Sequence, residues 1–168
     1  MFDPIVNVFG FHNRSRYLPD RRDLNRSFPG SVKGSLAARL AHLFMTEIVH
    51  KCTHGIDLHT GAIHRSNLPQ IRGNLDDAKT MQLARVFGVP VIINANVRDG
   101  SLRGCAAERG KPVLTYEAGE ALRFEELSIR AGLRGVLNVM RTIGMLPGRT
   151  KPLEPVLAQS TIWVRAPV

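Results

Sequence analysis

The sequence predicts an α/β domain built on a mostly parallel sheet with helices on both faces. Three observations lead there. Short runs rich in Val, Ile and Leu alternate along the chain with segments whose apolar residues recur at helical spacing. The strand-like runs are nearly continuous in apolar residues, as strands buried on both faces are. His59 and Glu117 each close one of these runs just before a turn, and in such sheets ligands gather at the carboxyl ends of strands.

Taken in order, residues 4–10 (Pro-Ile-Val-Asn-Val-Phe-Gly) read as a buried strand closed by glycine. A polar, arginine-rich loop follows to Gly30, and at that length it is expected to be functional. Ser35 is a fair N-cap for a helix reaching Lys51, with an apolar stripe at Leu36, Leu40, Leu43, Phe44 and Ile48. Residues 55–59 read as a strand ending in the turn Thr60-Gly61. A helix over 75–87, a strand over 89–94 and a short helix over 101–109 come next. Residues 111–117 form another strand, ending at Ala118-Gly119. The longest helix spans 124–145, with its stripe at Leu127, Leu133, Leu137 and Met140. Beyond it Pro147, Pro152 and Pro155 mark a linker, and residues 160–165 resemble the first strand of a new unit.

Composition excludes several classes. With 43% hydrophobic and 22% charged residues over 168 positions, the chain is long and apolar enough for a globular core, so disorder is excluded. No apolar run approaches the roughly 20 residues of a membrane span, and the first residues lack the basic and apolar regions of a secretory signal. Cys52 and Cys105 are too few for a disulfide framework or a cysteine zinc site, which makes a reducing, cytoplasmic setting the expectation. The net charge of +9 invites a nucleic-acid reading. Its basic residues are scattered, however, and the dense cluster Arg14, Arg16, Arg21, Arg22 and Arg26 has no stacking aromatics or helix-turn-helix around it. The cluster reads as positive potential for a small acidic ligand, with neither nucleic acid nor membrane as partner; a homo-oligomer is left open.

Residues 23–30, Asp-Leu-Asn-Arg-Ser-Phe-Pro-Gly, concentrate the chemistry. Asn25 and Arg26 place fixed donors side by side, and the guanidinium suits a bidentate grip on a carboxylate. The alternative is a turn with a solvated Asp–Arg pair. Pro29 and Gly30 stop the segment in a turn. His59 is a candidate metal ligand or base, with Asp57 and Thr60 beside it. Glu117, at the end of an apolar strand, is a candidate general base, and Asp23 could orient a histidine through its second nitrogen. No His-x-x-Glu or Cys-x-x-Cys pair occurs, so these residues alone cannot close a zinc site.

Arg16-Tyr17, residues 23–30, Asp57-Leu58-His59-Thr60-Gly61 and Glu117-Ala118-Gly119 occur in that order at suitable intervals. Together they resemble the succinylglutamate desuccinylase/aspartoacylase family, relatives of the zinc carboxypeptidases. The resemblance implies a mixed, mostly parallel sheet of the zinc-dependent exopeptidase type. It also implies one zinc ion with His59 as a ligand, Asn25 and Arg26 on the substrate carboxylate, and Arg16 polarising the scissile carbonyl. Glu117 would activate water, and Asp23 would hold a zinc-bound histidine. The implied reaction is hydrolysis of the amide of a small N-acyl amino acid or related acylated amine.

The family takes its other zinc ligands from a His-x-x-Glu motif upstream of the first strand seen here, and that motif is absent. The expectation is therefore a catalytic domain over 1–146 lacking its N-terminal portion, followed at 147–168 by a linker and the first strand of a truncated C-terminal β domain. Such a chain would bind zinc weakly and hydrolyse little. The alternative is a catalytically incomplete fragment or a binding module for small carboxylates.

Overall fold

The computed structural model describes residues 5–95, 99–150 and 153–162. In chain order its elements are α1 (Val8–Asn13), α2 (Leu36–Glu47), β1 (Gly55–Gly61), β2 (Asn67–Gly73), α3 (Ala78–Phe87), β3 (Val91–Asn94), α4 (Leu102–Ala107), β4 (Val113–Glu120), α5 (Glu126–Thr142) and β5 (Val156–Ala158). Short 3-10 turns cover Leu24–Arg26 and Val49–Lys51. The chain divides into two compact units, Met1–Gly55 with Val97–Val113, and Ile56–Asn96 with Leu114–Val168.

The first unit is organised around α2. Ser35 caps it as anticipated, its side chain accepting from Ala38 N at 3.2 Å, and Asp20 Oδ2 accepts from Ala37 N at 2.9 Å. That second bond, a carboxylate on the exposed amides of a helix start, holds Asp20 below the usual carboxylate range. The buried face of α2 is Ala37, Ala41 and Met45, with Leu40 and Phe44 partly buried, whereas Leu43 of the expected stripe is exposed. This face packs with Leu18, Leu24, Phe28, Cys105, Ala106 and Val113 into one apolar core. The helix also stops earlier than anticipated, at Glu47, and a 3-10 turn takes the chain on to Lys51.

The opening strand is a correction. Residues 8–13 are helical, because Asn7 accepts from Gly10 N at 2.8 Å and so offers the backbone a cap in place of a strand partner. Val8, Phe9 and Phe11 are exposed on this short helix, so it is not a buried element. Pro4 lies outside the described residues.

The second unit carries the sheet, ordered β1-β4-β2-β3-β5. β2 runs parallel to β3 and β3 parallel to β5, while β2 and β4 are antiparallel, so the sheet is mixed. Residues 113–116 of β4 are buried at every position, which means both faces of that strand are covered. Helices α3 and α5 pack on one another and on β2. Their shared core contains Ile71, Leu83, Phe87, Ile92, Leu114, Tyr116 and Val139. On α5 the expected leucine stripe is wrong: Leu127 and Leu133 are exposed, and the buried positions are Ala131, Gly132, Gly135, Asn138 and Val139. The rings of Phe87 and Tyr116, stacked with centroids 5.2 Å apart, take the space that large helix side chains would need.

Two strands were not anticipated. β2 fills what reads as loop, and β5 lies in the expected linker as an edge of this same sheet. Of the strand expected over 160–165, residues 160–162 are not in a strand and residues 163–165 lie outside the described ones. Among the described residues no helix is long and apolar enough to cross a membrane.

Candidate functional site

In the first unit the acid–amide–guanidinium segment is a built turn. Asp23 Oδ1 accepts from Asn25 N at 2.9 Å and caps the 3-10 turn, while Ser27 Oγ donates to Asp23 O at 2.9 Å. Asp23 Oδ2 accepts from Arg16 Nε at 2.8 Å, and Tyr17 bridges Asp23 across the loop. Both oxygens of Asp23 are therefore occupied within the first unit. Asn25 Oδ1 accepts from Leu102 N at 2.9 Å, which ties the turn to the first residue of α4. Arg26 is exposed, with Nη1 donating to Asn25 O. Leu24 and Phe28 anchor the segment in the core on either side. The turn ends in a cis Phe28-Pro29 bond and then Gly30 at φ +82°. A Cβ on Gly30 would run into Ala38 O and His42 N of α2, so glycine is needed there for conformation and for space.

The second unit holds His59 and Glu117. Both lie inside their strands, not at the ends: β1 continues to Gly61 and β4 to Glu120. Asp57 and His59 are two apart on β1 and so share a face. Their side chains meet at 2.8 Å between Asp57 Oδ2 and His59 Nε2. A carboxylate accepts only, so this contact makes Nε2 the protonated nitrogen. Asp57 is thus a carboxylate partner of this histidine's ring. Glu117 Oε2 accepts from Asn67 Nδ2 at 3.1 Å and lies 3.8 Å from Arg72 Nη1. Asn67 and Arg72 were not anticipated. Pro69 within an otherwise strand-like stretch was the available signal, since proline inside a strand marks an edge or a bulge.

A model of the succinylglutamate desuccinylase/aspartoacylase catalytic domain matches residues 2–143. The chain belongs to this family. Among its relatives, the N-alpha-acetyl-L-2,4-diaminobutyric acid deacetylase of Halomonas elongata is 31% identical over 144 residues, covering 81% of this chain and 42% of that protein. The crystal structure of a succinylglutamate desuccinylase/aspartoacylase from Rhodobacter sphaeroides superposes with a TM-score of 0.80 at 29% identity, over 90% of this chain and 47% of that one. The product-bound ectoine utilization protein EutE (DoeB) from Ruegeria pomeroyi shares the fold, with a TM-score of 0.86 at 24% identity over 95% of this chain and 51% of that one. The chain spans about half the length of the relatives it matches.

For a metal the donors fall short. A catalytic zinc takes three protein ligands. Among the described residues no three His, Cys, Asp or Glu side chains come together as a metal-holding group. His59 with Asp57 makes a histidine paired to a carboxylate, and the described residues do not complete a zinc site around them.

Proposed function

We propose that this chain is the part of a zinc-dependent deacylase that carries its substrate clamp and its general base. The complete protein would hydrolyse the amide bond of a small N-acyl amino acid or a related acylated amine. The observation that carries this reading is the family match over residues 2–143, within which all the motif residues fall. His59 would be one metal ligand and the remaining ligands would come from outside the described residues. The described residues by themselves do not close the metal site.

The chain's own residues supply the following chemistry. Asn25 and Arg26 hold a substrate carboxylate, the exposed guanidinium by a two-point grip and the amide through Nδ2. Asn25 can do both jobs at once, since its Oδ1 is used on Leu102 N and its Nδ2 is a separate donor. Glu117 takes a proton from the attacking water, whose oxygen adds to the acyl carbon. The C–N bond then breaks and the amine leaves with the proton that Glu117 took from the water. Arg16 stabilises the developing oxyanion. Its present bond to Asp23 is no obstacle, because an ion pair with an arginine 53% exposed is worth only about 0–1 kcal/mol and yields readily to a substrate.

The test is amine release from a panel of N-acetyl and N-succinyl amino acids, with and without zinc, by the full-length protein that contains this chain. Hydrolysis is expected, with Glu117→Gln reducing kcat by about 10²–10⁴, the usual contribution of a general base. Arg26→Ala should raise KM more than it lowers kcat. The isolated 168 residues should hydrolyse little, and family-like rates from them would contradict the incomplete metal site. The second reading, a carboxylate-binding module, rests on the described residues gathering no metal-holding group. It would replace the deacylase reading if calorimetry showed zinc-independent affinity for acyl amino acids, abolished by Arg26→Ala, with no turnover by the full-length protein.

A further inference from the structure

Strand β2 does something on the sheet that its sequence parity would forbid. Along a regular strand, side chains alternate faces, so residues separated by an odd number point opposite ways. Asn67 and Arg72 are five apart, yet both reach the same carboxylate oxygen, Glu117 Oε2. The register explains it. Gln70 pairs with Glu117 and Arg72 with Thr115, but Asn67 pairs with Gly119, and a shift lies between Asn67 and Gln70. Three steps along β2 thus oppose two along β4, which is a β-bulge of one extra residue.

The residues inside the bulge suit it. Pro69 has no N–H to leave unpaired, and Leu68 is turned out, 59% exposed. Beyond it the alternation is regular: Ile71 and Gly73 are buried, while Gln70 and Arg72 are half-buried with Glu117. The extra residue flips Asn67 onto that half-buried face, diagonal to Glu117 on one side as Arg72 is on the other.

We propose that Asn67 and Arg72 are positioning residues for Glu117, brought to bear by the Leu68-Pro69 bulge, and that they hold Oε2 so that Oε1 is the oxygen that takes the proton. This rests on Glu117 being the general base, as proposed above. A carboxylate with one oxygen fixed by an amide and faced by a guanidinium cannot turn in its pocket, which keeps its other oxygen in line for a water. Arg72 at 3.8 Å acts mainly as a charge, and Asn67 at 3.1 Å as the directional hydrogen bond.

The experiment has two readouts, so that failure of the deacylase reading and failure of this one stay distinct. In the 168-residue chain, the side-chain amide resonances of Asn67 are compared between wild type and Glu117→Gln, with Arg72→Met as a second variant. Hydrogen bonds to a carboxylate are roughly twice as strong as those to a neutral acceptor. The bonded Asn67 amide proton should therefore move upfield in Glu117→Gln and little in Arg72→Met. An Asn67 amide indifferent to Glu117→Gln overturns the anchoring, whatever the protein hydrolyses.

In the full-length enzyme, Asn67→Ala should lower kcat about 10-fold or more with KM nearly unchanged, a smaller loss than removal of the base itself. Unchanged kcat, or an effect on KM alone, overturns the positioning role. A wild-type protein that hydrolyses no acylated amine removes the deacylase reading, and the amide resonances then decide the anchoring alone.

Discussion

Replacing Gly30 by alanine should destabilise the first unit by about 2–4 kcal/mol. Two contributions add. Gly30 sits at φ +82°, where an L side chain costs roughly 1 kcal/mol relative to glycine. The new Cβ would also collide with the backbone of α2, at Ala38 O and His42 N, and would lie 2.9 Å from Ala41 C. Those atoms belong to a hydrogen-bonded helix whose Ala37, Ala41 and Met45 are buried, so relief requires moving the helix, and overpacking of this kind costs about 1–3 kcal/mol. Gly110 separates the two contributions, since it too has positive φ, +66°, but nothing lies within 4 Å of a Cβ built there. Gly110→Ala should therefore lose only the conformational part, about 1 kcal/mol. Urea denaturation followed by far-ultraviolet circular dichroism measures both. With m about 2 kcal/mol/M, the midpoint of Gly30→Ala should fall by roughly 1–2 M and that of Gly110→Ala by about 0.5 M. Equal losses in the two variants would refute the steric argument, and with it the claim that the turn is seated against α2.

Three further outcomes follow from the same structure. Asp77→Ala removes the cap of α3, where Oδ2 accepts from Thr80 N at 2.8 Å and from Thr80 Oγ1 at 2.7 Å, and should cost about 1 kcal/mol near neutral pH. Those bonds hold Asp77 below its ordinary value of 3.8, so the cap's contribution is full above that value and fades as pH falls through the depressed one. Denaturation curves of wild type and variant should accordingly converge in acid and stay parallel from pH 5 to 8. Gly135→Ala places a methyl group into the ring of Phe87 and should lower stability by roughly 1–3 kcal/mol, read as a thermal midpoint, whereas an unchanged midpoint would mean that α5 is not seated on that ring. Zinc titrated calorimetrically into the 168-residue chain should bind weakly; a tight one-to-one site lost in His59→Ala would show that the chain supplies more ligands than His59.

The parts of the fold legible from sequence are those where one local signal and the tertiary packing agree. Ser35 before a helical stripe, Asp57-Leu58-His59 on a strand and the apolar run through Tyr116 were all placed correctly. Residues 8–10 misled because Val and Phe favour strands, while a single side-chain cap from Asn7 was enough to close a turn of helix. On α5, leucines at helical spacing pointed to the wrong face, because the partner surface offers Phe87 and Tyr116 as knobs and asks for glycine opposite them. The site divided in the same way. Asn25, Arg26, His59 and Glu117 carry recognisable chemistry in the chain itself. Asn67 and Arg72 do not, since their meeting at Glu117 depends on a register shift at which Pro69 hints but whose strand partner no local pattern names.

The hydrogen bond from Leu102 N to Asn25 Oδ1 spans 77 residues and has a consequence for how the molecule is made. The first unit closes only when residues 97–113 return to residues 1–55, and that return delivers Cys105, Ala106 and Val113 to its core. During synthesis, the turn that carries Asn25 must therefore wait, unfinished, until Val113 has left the ribosome. By then residues 56–96 have emerged but still lack β4 and α5. Neither unit is a continuous stretch of chain, so neither can be excised, nor complete itself first from the N-terminus. Their folding is tied together by the order of the chain.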